Sequence, residues 1–74
     1  MRISDLEKGD RAIIKRINAD ESLKQRLASF GMGRGVEIEV ETYSIKRKTY
    51  EINVDNTMVA LRDEEADKIE VEKV

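Results

Sequence analysis

The sequence predicts a small, mainly β domain in which five short strands form a barrel. One α-helix is expected between strands 1 and 2, and a short helical turn before the last strand. Two observations carry this prediction. Apolar and polar residues alternate in several segments after residue 35, as is typical of half-buried strands, whereas one segment before it has helical spacing. With 74 residues and no proline, the chain is expected to form a single domain over residues 1–74.

The first element is predicted to be a single turn in the sequence ISDLEKGD, which starts at residue 3. Ser4 and Glu7 have the spacing of a capping box, and Lys-Gly-Asp around Gly9 is typical of a turn. Residues 11–18, RAIIKRIN, are predicted as the first strand because they are rich in β-branched residues. They are apolar on both alternating faces, so both faces are expected to be covered.

The next segment, DESLKQRLASF, is predicted to be the helix. Leu23, Leu27 and Phe30 lie at positions i, i+4 and i+7 and so form one apolar stripe, which is expected to pack on the core. Asp20 or Ser22 is the expected N-cap, because both side chains can accept a hydrogen bond from the first helical turn.

Three of the four glycines, Gly31, Gly33 and Gly35, follow the helix within five residues. Gly31 occupies the position after the helix end, where glycine adopts the left-handed conformation without a Cβ penalty. The stretch from Gly33 to Gly35 is expected to turn the chain sharply into the next strand. On the structural interpretation the glycines only cap and turn, and Met32 folds its side chain back over the helix end. On the functional interpretation they form a protruding corner that displays Met32 and Arg34.

Residues 36–42, 49–54 and 57–62 alternate between apolar and polar side chains and are predicted as strands. Asp55 and Asn56 separate the last two and suit a two-residue hairpin turn, because both tolerate positive φ. Counting outward from this turn places six residues on one face, paired as Val54 with Thr57, Ile52 with Val59 and Tyr50 with Leu61.

The last segment begins with three acidic residues and ends with alternating apolar positions. Asp63 is the expected N-cap of a short helical turn, since acidic residues stabilise a first turn. Ile69 and Val71 indicate a final short strand.

Composition excludes several classes of function. The chain has no Cys and no His, which removes disulfides, thiolate and imidazole metal ligands, and the usual nucleophile and base pairs. The net charge of −2 disfavours binding to nucleic acid. The charged start is not expected to act as a signal peptide, and no apolar run approaches the roughly 20 residues of a membrane span. We therefore expect a cytoplasmic protein that is not an enzyme, needs no cofactor and does not insert into a membrane.

Two long stretches resemble the FeoA family, the small accessory proteins of bacterial ferrous-iron uptake. They are LKQRLASFGMGRGVEIEV (23–40) and YEINVDNTMVALRDEEADKIEVEKV (50–74), and the chain resembles the family across nearly its whole length. The order and spacing of the elements carry the resemblance, from the Arg26-Leu27 helix end and Gly31-Met32 turn to the strands beyond. Many family members have proline just before the third glycine of the corner, where this chain has Arg34.

The resemblance implies an SH3-like barrel that acts as a binding partner and not as an enzyme. The implied partner is FeoB, the membrane ferrous-iron transporter with a cytoplasmic GTP-binding region, whose GTP-dependent activity the protein would modulate. Similar barrels form the C-terminal domains of iron-dependent repressors, where they follow a helix-turn-helix domain. A stand-alone SH3-like interaction module is therefore the alternative.

Candidate partner-binding residues lie in two places, the helix end with its glycine corner and a basic loop between strands. Charged residues beside apolar ones are typical of partner surfaces, and loops often carry binding function. A fully solvated loop is the alternative for the second place, although Ile45 adds an apolar contact there. The candidates are Lys24, Arg26, Met32, Gly33, Arg34, Lys46, Arg47 and Lys48, with Gly31 and Gly35 as the structural corner.

A row of carboxylates supports one further hypothesis. Glu37, Glu39 and Glu41 share one strand face, with Glu51 on the neighbouring strand, and carboxylate oxygens bind hard cations. A solvated strand face explains the same alternation, so no metal ligand is assigned. Exposed strand edges in so small a barrel leave self-association open.

Overall fold

All five predicted strands are present in the computed structural model, which describes residues 1–74. The strands form one antiparallel sheet in the order β4-β3-β2-β1-β5, so the predicted fold class is confirmed. In chain order the elements are a 3-10 turn (Ile3–Asp5), β1 (Arg11–Ile17), α1 (Glu21–Ser29), β2 (Glu37–Tyr43), β3 (Thr49–Val54), β4 (Thr57–Arg62), α2 (Asp63–Ala66) and β5 (Ile69–Lys73).

The β3–β4 hairpin has the predicted bounds, turn and register. Asp55 and Asn56 have φ of 50° and 66°, as a two-residue turn that continues the strand twist requires. The three predicted cross-strand pairs are present, including Ile52 with Val59. The register is fixed because the turn and the apolar period demand the same alignment.

The sheet curls around the core at two irregularities. The register shifts between Ile14 and Arg16 in β1 and between Val40 and Thr42 in β2, and such bulges bend a strand and increase its twist. The curled sheet encloses 16 buried residues, all of them hydrophobic. No polar or charged residue is buried, so candidate functional groups lie on the surface.

The two short turns are capped differently from the prediction. At the first turn Asp5, not Glu7, completes the cap, because its carboxylate accepts a hydrogen bond from the backbone N–H of Arg2 at 2.8 Å. The capping box assigned to Ser4 and Glu7 is therefore wrong. At α2 the N-cap is Arg62 and not Asp63, since the side chain of Glu65 accepts from the Arg62 N–H at 2.9 Å.

Helix α1 begins as predicted but packs less of its stripe than expected. Asp20 is the N-cap and accepts a hydrogen bond from the Leu23 N–H at 2.9 Å. Leu27 is fully buried and Leu23 partly so, whereas Phe30 is 40% exposed. Phe30 leaves the stripe because it is the C-cap, with φ −93° and ψ 2°, and so does not continue the helical spiral.

Candidate partner-binding surface

The end of helix α1 is closed by a Schellman motif. The N–H of Met32 donates to the carbonyl of Leu27 at 3.0 Å, and the N–H of Gly31 donates to Ala28 at 2.9 Å. Gly31 adopts φ +84°, the left-handed conformation that this motif requires. The chain is thereby folded back over the last helical turn.

The same motif buries Met32. Leu27, whose carbonyl accepts this hydrogen bond, and Met32 both belong to the core, and only 1% of Met32 is exposed. An apolar contact between these two positions usually accompanies a Schellman motif. The prediction that the glycine corner displays Met32 to a partner is therefore wrong.

The rest of the glycine corner attaches to strand β1. Gly35 has φ +87° and donates its N–H to the carbonyl of Ile14 at 2.7 Å. Gly33 is half-buried. It has no positive φ, so the backbone conformation at this position does not require glycine. The attachment holds Arg34 on the surface next to the end of β1, where it is exposed.

Lys24 and Arg26 lie on different sides of α1, because two helical positions are about 200° apart. Arg26 turns toward α2 and forms an ion pair with Glu65. Burial acts to raise the pKa of Glu65, but hydrogen bonds from Arg62 and Arg26 outweigh it and the pKa is lowered. Arg26 is thus engaged within the protein, whereas Lys24 is exposed and has no ion-pair partner.

Lys24 instead faces other cations. Two shallow depressions meet around the half-buried Ile17 and share Arg16, Ile17 and Lys24 in their walls. One also includes Arg34, and the other includes Lys68. Four exposed basic residues with no ion-pair partner therefore surround Ile17; this basic cluster consists of Arg16, Lys24, Arg34 and Lys68.

Sequence reasoning had missed two members of the basic cluster. Arg16 follows Lys15 at the end of β1, and this basic pair just before the helix was the available signal. Lys68 could not be placed from the sequence, because it reaches the cluster only through the pairing of β5 with β1. In that pairing Ile17 lies opposite Ile69, and the Asn18 N–H donates to the Lys68 carbonyl at 2.8 Å.

The basic loop between β2 and β3 is held to the protein by Arg47. The Arg47 guanidinium lies 4.2 Å from the centre of the Tyr43 ring, and it pairs with the carboxylate of Glu7. It also donates to the backbone carbonyls of Ser4 and Leu6. Arg47 therefore fastens the loop to the first turn of the chain and is not free for a partner.

The other residues of this loop remain available. Lys46 and Lys48 are exposed and form no ion pair, and Ile45 is fully exposed. The loop thus presents two cations around an apolar side chain, a smaller arrangement than the basic cluster.

Replacing Arg47 with alanine is expected to destabilise the domain, whereas Lys46→Ala is expected to have little effect. Arg47→Ala removes the stacking on Tyr43 and the hydrogen bonds to the first turn, but an exposed lysine without partners has none to lose. Urea unfolding followed by circular dichroism measures both. Equal midpoints for the two variants would contradict the role given to Arg47.

Glu7 is expected to make the stability of the folded domain decrease at acidic pH. The hydrogen bond from the Tyr43 hydroxyl, followed by the charge of Arg47, lowers the pKa of Glu7 in the folded protein. A lowered folded-state pKa contributes stability above the unfolded-state value, about 4.3, and this contribution is lost as the pH falls through the folded-state pKa.

The variant Glu7→Gln tests this dependence because it keeps the side-chain shape and removes the titration. Its unfolding midpoint should fall less than that of the unaltered protein between neutral pH and pH 3 or so. Glu51→Gln, on an exposed strand face, serves as the control. Parallel acid profiles for Glu7→Gln and the unaltered protein would refute the assignment.

The row of carboxylates does not converge on one point. Glu37 pairs with Arg11 at 2.9 Å, and Glu41 lies near the side chain of Asn53. No group of three or more acidic side chains is placed to hold a metal ion.

None of the helices is long and apolar enough to cross a membrane.

Known proteins are similar to this chain over almost its whole length. The family model described as the FeoA domain matches residues 1–73. A curated protein of Campylobacter jejuni, named "Putative Fe(2+) transport protein A", is 38% identical over 71 residues, which are 96% of each chain.

Solved structures show the same fold. The solution structure of the FeoA protein from Chlorobium tepidum has a TM-score of 0.94 at 28% identity, covering 100% of this chain and 70% of that one. A manganese-dependent transcriptional repressor has a TM-score of 0.90 at 21% identity, covering 100% of this chain and 41% of the repressor. The second likeness concerns the fold alone and agrees with an SH3-like domain.

Proposed function

Since this chain belongs to the FeoA family of ferrous-iron transport accessory proteins, we propose that it acts by binding and not by catalysis. The proposed partner is the cytoplasmic GTP-binding region of a FeoB-type membrane transporter, whose GTP-dependent activity the protein modulates. The proposed surface consists of helix α1, the glycine corner and the loop that carries Lys46 and Lys48.

The observation that supports this proposal is the placement of unpaired charge beside the helix. The chain has seven ion pairs, but Lys24 and Arg34 belong to none of them, although acidic residues outnumber basic ones. Both side chains are exposed on segments fixed by the helix cap and by the Gly35 hydrogen bond to β1. Pre-positioned cations favour fast and selective association with a partner of opposite charge.

Modulation of a GTP-dependent activity requires a difference between two affinities. A bound protein shifts a conformational equilibrium only if it binds one state more tightly than the other. A tenfold preference corresponds to about 1.4 kcal/mol, which is within the usual range of allosteric coupling. The proposal therefore expects binding that depends on the bound nucleotide.

The test is an amide NMR titration of the full chain, labelled with nitrogen-15, with the purified GTP-binding region of a transporter from the same genome. The titration is run with a non-hydrolysable GTP analogue and with GDP. We expect the shifts to be concentrated in residues 23–35 and 45–48, with affinities that differ between the two nucleotides.

An unrelated small GTPase in the same two nucleotide states is the control. Absence of shifts at saturating concentrations of the transporter region would refute the proposed partner. Binding with equal affinity in both states would retain the partner but refute the modulation. Shifts of equal size with the control GTPase would show that the contact is unspecific.

A further inference from the structure

The basic cluster is placed by the convergence of four segments. The end of β1 supplies Arg16, the first helical turns supply Lys24, the glycine corner supplies Arg34, and the turn before β5 supplies Lys68. Each segment is fixed by backbone hydrogen bonds, such as that from Gly35 to Ile14. The cluster is therefore a property of the fold and not of one mobile loop.

The carboxylates nearest the cluster form hydrogen bonds or ion pairs with residues other than the four cations. Asp20, the one acidic residue in the two depressions, caps helix α1. Glu70 accepts a hydrogen bond from Asn18, and Glu72 pairs with Lys15 at 3.3 Å. Asp20 and Glu70 keep their charges, because their hydrogen-bond donors are neutral, and Glu70 lies opposite Arg16 in the sheet. The four cations of the cluster still outnumber these two carboxylates, and the excess positive charge favours a complex with an acidic ligand.

From this arrangement we infer that the basic cluster is the docking surface for an acidic protein segment that also carries an apolar side chain. The carboxylates would pair with Arg16 and Arg34, whose planar guanidinium groups suit bidentate pairing. The apolar side chain would cover the half-buried Ile17 between them. This inference rests on the proposed function and specifies the chemistry by which the partner is recognised.

The shape and charge of the rest of the molecule favour a protein segment over a phosphate surface. The cluster lines two shallow depressions beside Ile17, and a protruding side chain can enter them more closely than a flat bilayer can. The chain as a whole carries a net charge of −2, so the residues outside the cluster sum to a negative charge, which disfavours binding to an extended anionic surface such as a lipid bilayer or nucleic acid.

The inference is tested first with a synthetic peptide in which Glu and Leu alternate, titrated into the labelled full chain. We expect shifts at residues 15–18, 24, 34 and 68 that weaken as salt is raised. A peptide with Gln in place of Glu is the control and should cause no shifts. Absent shifts, or shifts centred on residues 45–48, would overturn the inference.

Two charge reversals of equal size separate the cluster from general positive charge. Arg16→Glu with Arg34→Glu should weaken peptide binding by about tenfold or more, because close charge pairs are lost and replaced by repulsion. Lys8→Glu with Lys73→Glu makes the same change in net charge at exposed residues outside both the cluster and the proposed surface, and it should alter binding by less than about twofold. Equal losses in the two variants would overturn the inference.

Vesicles and the transporter region complete the test. Co-sedimentation with vesicles of phosphatidylcholine and phosphatidylserine, lost in the Arg16→Glu, Arg34→Glu variant, would assign the cluster to a membrane and overturn the inference. If the GTP-binding region shifts residues 45–48 but leaves residues 16–18 and 68 unchanged, the inference fails while the proposed function stands. If the peptide binds the cluster but the GTP-binding region causes no shifts, the proposed partner fails while the recognition chemistry stands.

Discussion

Replacing Met32 with aspartate is expected to unfold the domain. Only 1% of Met32 is exposed, and its side chain belongs to the hydrophobic core. Removing a buried methionine costs about 2–5 kcal/mol, and a carboxylate in its place must also be desolvated or protonated. A domain of this size has a net stability of about 3–5 kcal/mol, so the loss is comparable with the total.

The matched control is Met58→Asp, the same substitution at a methionine that is 52% exposed on β4. It should lower the free energy of unfolding by less than about 1 kcal/mol. Met32→Leu preserves apolar volume and should cost less than about 1.5 kcal/mol. Urea unfolding and amide NMR spectra measure all three, and a folded Met32→Asp protein as stable as Met58→Asp would contradict the burial of Met32.

Met32 also shows where sequence reasoning about the site reached its limit. The sequence correctly indicated that Gly31 ends the helix and that Met32 follows it. It did not decide between two positions of the Met32 side chain. A residue just after a glycine cap either protrudes or folds back onto the last helical turn. The hydrogen bond from the Met32 N–H to the Leu27 carbonyl selects the second, and burial follows from it.

The hairpin between β3 and β4, in contrast, was predictable because its local features all indicate the same structure. Its turn residues, strand lengths and apolar period are all local, and they agree on one register, from Val54 with Thr57 to Tyr50 with Leu61. The bulges in β1 and β2 were not predictable, because the curling of the whole sheet determines where a strand must bend.

The positions of some charged residues also follow from local geometry, whereas those of others depend on long-range contacts. That Lys24 and Arg26 lie on different helix sides follows from helical geometry alone. The ion pair of Arg47 with Glu7, in contrast, joins residues that are 40 positions apart in the chain and forms only when the domain is folded. From the sequence alone, Lys46, Arg47 and Lys48 are therefore three equivalent cations. In the structure Arg47 forms an ion pair, and only Lys46 and Lys48 are free.

Replacing Gly31 with valine is expected to lower the free energy of unfolding by about 1–3 kcal/mol. Gly31 has φ +84°, a conformation in which a β-branched residue is strained. Space is not the cause, because a Cβ at this position would lie 3.9 Å from the nearest atom, Cγ1 of Val54. The whole effect should therefore come from the backbone conformation that the Schellman motif imposes.

Gly33→Val provides the control within the same corner. Gly33 lacks a positive φ, and a Cβ there would meet nothing within 4 Å, so its unfolding free energy should change little. Gly31→Asn should lie between the two, since asparagine tolerates the left-handed conformation better than valine. Equal destabilisation by Gly31→Val and Gly33→Val would mean that the corner demands small residues in general, and that the left-handed cap is not what requires glycine at position 31.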